Sequence, residues 1–134
     1  MAKVIGLGGI FFKAQDAEVL GAWYARWLDV PVQHPYGAFF LPGKVPAGGY
    51  NVWSPFAADT DYFAPSAAPF MFNLMVDDLE GCLARVAEGG AQVMDKREKG
   101  EYGDFGWFVD PEGTKVELWQ PPAKLPADVS GGGE

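Results

Sequence analysis

One cysteine, few basic residues and no long apolar run limit what this chain can be. Cys82 has no second thiol to pair with, so no intrachain disulfide forms, in keeping with a reducing compartment. Ten Lys and Arg stand against eighteen Asp and Glu, a net charge of −8, which lacks the basic footprint that nucleic acid requires. No apolar stretch approaches the roughly 20 residues of a membrane-spanning helix. The Met-Ala-Lys start has neither the hydrophobic core nor the cleavage site of a signal peptide, so a cytoplasmic chain is expected, with no membrane and no nucleic acid among its partners.

What is present is a globular composition, 49% hydrophobic and 15% aromatic in 134 residues, enough for one domain or for two half-size modules sharing a core. Asp104 to Pro121 is its most informative stretch. Two apolar runs flank Asp110-Pro111-Glu112-Gly113, where Pro pre-sets φ and Gly tolerates the tight exit of a turn, so the segment predicts a β-hairpin. On the return strand Lys115, Glu117 and Trp119 alternate with Val116 and Leu118. Glu117 is thereby held on a sheet face among large apolar neighbours, where a charge costs several kcal/mol unless a partner meets it.

The rest of the chain reads as a pattern given twice. Val4 to Ala14 predicts a strand, and Asp16 caps a helix with Val19, Leu20, Trp23, Tyr24, Trp27 and Leu28 at helical spacing, which Pro31 stops. Ala38 to Leu41 and Tyr50 to Ser54 predict further strands. Residues 58–69 read as a linker. Phe70 to Val76 is a second strand, Asp78 to Glu88 a second capped helix ended by Gly89-Gly90, and Ala91 to Asp95 a strand before the hairpin. Asp16 and Asp78, Glu18 and Glu80, and Ala22 and Ala84 align at one constant offset, and Trp53 and Trp119, with Pro55 and Pro121, at a slightly larger one. The sequence therefore predicts an α+β fold of two βαβββ repeats, about 4–57 and 70–121, with 122–134 as a C-terminal tail.

These residues resemble the vicinal oxygen chelate superfamily of glyoxalases, bleomycin-resistance proteins and extradiol dioxygenases. The resemblance covers roughly residues 5 to 121. It rests on GGIFFKAQDAEVLGAWYARWL, on FMFNLMVDDLEGCLARVAEGGAQV and above all on FGWFVDPEGTKVELWQP, a DPEG turn followed by a strand with a central Glu. It implies two curved sheets with helices on the convex side, a concave cleft holding the site, and a homodimer. The metal-ligand positions of such proteins fall here on Gly9, Asn51, Met71 and Glu117. Only Glu117 is a strong ligand: glycine has no side chain, an amide is weak and a thioether suits hard divalent ions poorly. The expectation is a chain with no metal and no cofactor.

With Gly9, Met71 and Glu117 facing the cleft, their neighbours two residues along the strands share that face: Phe11, Lys13, Asn73, Met75, Lys115 and Trp119, with Asn51 and Trp53 on the matching strand. A wall of aromatics and thioethers with a few convergent polar groups is the make-up of a small-molecule pocket. Core packing and a structural ion pair at Glu117 are the plainer readings of the same residues. His34, the only histidine, lies in a Pro-flanked loop and reads as a surface residue. Arg97, in a run of mixed charge, reads as a solvated strand end or as a group at the cleft mouth for an anion. Cys82 reads as a buried hydrophobe. Two classes of function stay open. One is a binding protein that holds a compact aromatic or cationic molecule between tryptophans, anchored on Glu117. The other is a lyase, isomerase or dioxygenase-like enzyme on a small carbonyl or aromatic substrate, with Glu117 as general base or metal ligand.

Overall fold

The computed structural model describes residues 2–130; the last four residues of the expected tail, 131–134, lie outside it. The fold is α+β. In chain order it contains α1 (Ala17–Leu28), the short strands β1 (Val32–Gln33) and β2 (Gly37–Ala38), a 3₁₀ turn at Pro42–Lys44, β3 (Phe72–Met75), α2 (Leu79–Glu88), β4 (Gln92–Gly100), β5 (Gly103–Val109), β6 (Lys115–Gln120) and α3 (Ala127–Ser130). The four longer strands form one sheet in the order β3-β6-β5-β4, with β3 parallel to β6 and the other pairs antiparallel. No helix among the described residues is long and apolar enough to cross a membrane.

α1 and α2 start where the sequence places a cap. Asp16 accepts from the Val19 amide and Asp78 from the Gly81 amide, each satisfying a donor that the first helical turn leaves orphaned. α1 ends two residues before Pro31, at Asp29, whose φ of 52° is the left-handed conformation that Asp tolerates. α2 presents Leu79, Leu83 and Val86 to the sheet, where Phe108, Val116 and Leu118 complete a core of fully or almost fully buried side chains. Burial of each such side chain contributes about 1.5–3 kcal/mol. α2 lies directly on Gly106, where a Cβ would come within 2.8 Å of Leu83 Cδ1, so this position admits no larger side chain without a shift. Trp23, Tyr24 and Leu28 bring α1 against the same core.

The DPEG turn ties α1 to this sheet. Asp110 Oδ1 accepts from the amides of Glu112 and Thr114, at 2.9 and 3.1 Å, and its Oδ2 accepts from the Tyr24 hydroxyl at 2.9 Å. Gly113, with φ of 84°, supplies the left-handed step that closes the loop. Glu112 reaches the helix start and accepts from the amides of Gln15 and Asp16 at 2.8 and 2.9 Å.

The first repeat differs from expectation. Residues 4–14 and 50–54 run without a ladder partner, and of the expected strand Ala38–Leu41 only Ala38 belongs to one. Several of their apolar side chains stay in solvent, Ile5 at 93% and Phe11 at 95% exposure, while Phe12 packs on Phe72 and Tyr50 on Trp119. A strand needs a neighbouring edge, and these segments pair with neither edge strand of the sheet, β3 or β4. In the second repeat β4 runs on to Gly100, through the charged residues expected to mark a strand end. Residues 58–69 form a series of turns.

Candidate functional site

The face of the sheet opposite α2 carries Glu117. Register fixes its neighbours: Asn73 on β3 and Trp107 on β5 lie directly opposite Glu117 on β6, so three side chains form a row across the sheet. Asn73 Nδ2 donates to Glu117 Oε1 at 2.7 Å, and Trp107 Nε1 donates to Oε2 at 3.0 Å. A third donor arrives from the loop, the Tyr62 hydroxyl, at 2.5 Å from Oε2. Glu117 is only 8% exposed, yet its charge is met by three hydrogen bonds of the charge-assisted kind. Oε2 has both lone pairs taken and Oε1 keeps one. Burial, followed by the hydrogen bond and charge of Glu117, pushes the Tyr62 phenol well above the usual 10.0.

Beside this row opens a cavity of about 230 Å³ lined by Asp61, Tyr62, Met94, Lys96, Trp107 and Lys115. Tyr62 stands edge-on to Trp107, with ring centres 6.3 Å apart, and stacks on Phe56 at 5.6 Å. Lys115 donates to the Tyr62 carbonyl oxygen at 2.7 Å instead of pairing with Glu117. Its ammonium and that of Lys96 both lie over the Trp107 ring, at 5.9 and 5.6 Å from the ring centre.

Of the residues singled out from sequence, the structure brings Asn73 and Lys115 to Glu117. Trp119 shares their sheet face but is sealed: Tyr50 packs edge-on at 4.9 Å, Phe105 stacks at 6.1 Å, and Nε1 donates to the Tyr102 carbonyl oxygen. Met71 is half-buried just before β3. Phe11, Lys13, Asn51 and Trp53 are exposed in the extended segments of the first repeat, Trp53 at 79%, so the expected Trp53–Trp119 sandwich is not assembled within one chain. Arg97 turns to the helix side and binds Glu80 of α2 at 2.8 Å, away from the cavity. His34 is exposed, 4.0 Å from Glu18. Cys82 is half-buried, and burial pushes its thiol pKa up, the direction of an inert thiol.

Tyr62 and Trp107 were not identified from sequence, and Lys96 only as part of the mixed-charge run in which Arg97 was the residue singled out. Trp107 was within reach, because counting back from the DPEG turn pairs Val109 with Lys115 and hence Trp107 with Glu117. Tyr62 carries no such signal; it comes from the loop that reads as a linker. Among the described residues no group of three or more His, Cys, Asp or Glu side chains is placed to hold a metal ion. The groups around Glu117, a phenol, an amide N–H and an indole N–H, donate to the carboxylate rather than share a cation with it, and so do not fit a divalent metal.

Comparison with known proteins gives the family. No curated protein matches the chain. Among solved structures it is similar to TnmS3, an antibiotic-binding protein from Streptomyces sp. CB03234, with 31% identity and a TM-score of 0.36 over 40% of this chain and 45% of that one. It thus spans less than half the length of that relative. It is also similar to an integron cassette protein from the mobile metagenome of V. cholerae, with 19% identity and a TM-score of 0.45 over 78% of this chain and 86% of that one. A third, titled a conserved domain protein, shows 14% identity and a TM-score of 0.49 over 81% of this chain and 92% of that one. The family model described as glyoxalase-like domain matches residues 9–119, from the first glycine-bounded segment through the return strand of the hairpin. The chain belongs to the glyoxalase-like domain family, within the vicinal oxygen chelate superfamily.

Proposed function

We propose that this protein is a metal-free binding member of its family that holds a small aromatic molecule on the sheet face around Glu117. The observation that carries the reading is the state of Glu117. A general base or a metal ligand needs an accessible lone pair aimed at its target, whereas here three donors from β3, β5 and the 58–69 loop converge on the carboxylate. Glu117 acts as the post on which Tyr62, Asn73 and Trp107 are oriented, and Tyr62 and Trp107 form part of the cavity lining beside it. The preference for a cationic ligand expected from sequence depended on a free carboxylate anchor, and an occupied one does not supply it.

The proposal extends to assembly. The exposed apolar residues Val4, Ile5, Phe11, Phe39, Phe40, Leu41 and Trp53 make a surface that a monomer keeps wet at considerable cost. A second copy of the chain covers it, the two-repeat arrangement is completed in that homodimer, and Phe11, Asn51 and Trp53 come to the site there. Two measurements test the reading. Titration of tryptophan fluorescence with neutral bicyclic aromatics should give saturable quenching that Trp107→Phe diminishes; no response to any aromatic compound overturns it. Sedimentation should give a dimer that Phe11→Asp weakens, and a concentration-independent monomer overturns the assembly.

A further inference from the structure

The hydrogen-bonding groups left over in the cavity are mostly donors. Glu117 has spent both lone pairs of Oε2 and one of Oε1 on neighbours. Lys115 is half-buried, and its only hydrogen bond within the described residues is the one to the Tyr62 carbonyl oxygen; no carboxylate oxygen among them lies within 4.0 Å of its Nζ. Lys96 meets Glu98 at 3.4 Å, with both side chains half or more exposed, a pairing that contributes little and exchanges readily. Two ammonium groups therefore lie over the Trp107 ring, at 5.9 and 5.6 Å from its centre, a like-charge arrangement relieved by the ring, by Glu98 at Lys96, and by the more distant carboxylates of Glu117 and Asp61 at Lys115. Burial, with Lys96 adding to it against the opposing pull of Glu117 and Asp61, lowers the Lys115 pKa below 10.5. Asp61, exposed at the cavity rim, is the remaining charged group of the lining.

We propose that the cavity takes a flat aromatic carboxylate, its carboxylate accepting from Lys96 and Lys115 and its ring against Tyr62 and Met94, with Trp107, 2% exposed, backing the cavity wall. This rests on the binding reading above and names the class of ligand. The aromatic lining supplies area, and the two lysines supply orientation and the discrimination by charge.

The test uses three probes of one shape, naphthalene-2-carboxylate, naphthalene-2-methanol and naphthalene-2-methylammonium, titrated calorimetrically into the full-length protein. The carboxylate should bind at least about tenfold tighter than either of the others. Lys115→Met should abolish that margin. Lys96→Met, at an exposed position that tolerates substitution, should reduce it severalfold, which keeps the proposal open to refutation even where Lys115→Met misfolds. Equal binding of the three probes, or preference for the ammonium, overturns the inference and leaves the aromatic-binding reading standing. Binding of none overturns both.

Discussion

In residues 70–121 the apolar side chains face a core: Phe108, Val116 and Leu118 are sealed beneath α2. In residues 4–57 the matching pattern leaves Ile5, Phe11, Phe40 and Trp53 in solvent, and beyond α1 and its caps the contacts with residues 58–121 are scattered ring pairs such as Phe12 on Phe72 and Tyr50 on Trp119. The turns account for the difference. At the offset that aligns Trp53 with Trp119, the place of Asp110-Pro111-Glu112-Gly113 is taken by Lys44-Val45-Pro46-Ala47. That segment has no carboxylate to accept from its own amides and no glycine for the left-handed step, and Pro42 interrupts the strand before it. A hairpin with a self-closing turn forms locally; strands without one wait for an edge from elsewhere. Periodicity names the element, and the turn decides whether it closes within the chain.

The largest effect that would break this comparison is expected at Phe108. Phe108→Ala should cost about 3–5 kcal/mol in urea denaturation, because a fully buried ring leaves a cavity, whereas Phe11→Ala in a dilute monomer should change stability by less than about 0.5 kcal/mol. A comparable loss at Phe11 would mean that its surface is already covered. Next in size is Glu117→Ala, at about 2 kcal/mol, since the buried Trp107 N–H would lose its acceptor. Glu117→Gln keeps a carbonyl for Trp107 and Tyr62 and should cost less than half as much. Equal losses would mean that the negative charge, not the geometry of the acceptor, holds the row together.

Much of the second repeat was legible in the sequence because its signals are local. The two helix caps, the DPEG turn and the period-two alternation around Glu117 each depend on residues a few positions apart. The register of the hairpin was also legible, and with it Trp107, since both follow from the turn by counting. Tyr62 was not, because nothing in a turn-rich segment states which side chain it will deliver to a distant sheet. Lys96 was hidden by a strand longer than its apolar pattern: β4 continues through charged residues because β5 offers it a partner. In the first repeat the strand-like runs were legible, but their pairing depends on meeting an edge, and periodicity carries no information about that.

The alkaline limb of stability bears on the same contrast. Burial, reinforced by the charge and hydrogen bond of Asp110, pushes the Tyr24 phenol far above 10.0, and Tyr62 shifts the same way. A group whose pKa is raised on folding contributes stability that is intact below its unfolded value and is lost as pH climbs above it. Between about pH 10 and 12 Tyr24 alone should remove about 1.4 kcal/mol per pH unit. Lys115 works in the other sense. Its pKa is lowered from 10.5, so the native state sheds this proton first and stability rises slightly as pH approaches that value. Denaturation across this range should show a net decline above pH 10 that Tyr24→Phe reduces by about half, Tyr62 carrying a similar share. A decline unchanged in Tyr24→Phe would assign the alkaline sensitivity elsewhere.

The smallest expected effect concerns α1, the longest element of the first repeat. α1 is capped twice, by Asp16 from its own repeat, which accepts from the Val19 amide, and by Glu112 from the turn of the other, which accepts from the amides of Gln15 and Asp16. A helix of 12 residues is marginal by itself, so its order derives from docking. If the hairpin turn supplies that docking, Glu112→Ala should cost about 1 kcal/mol, close to the loss from Asp16→Ala, and both should speed hydrogen exchange in the first turn of α1. Glu112→Gln should recover part of the loss, because one amide oxygen can still accept, while the negative charge at the positive end of the helix is gone. Should Glu112→Ala leave exchange in α1 unchanged while Asp16→Ala accelerates it, the helix would be held by its own repeat, and the division between a closed half and an open half would have to be drawn after Leu28 rather than before Ala17.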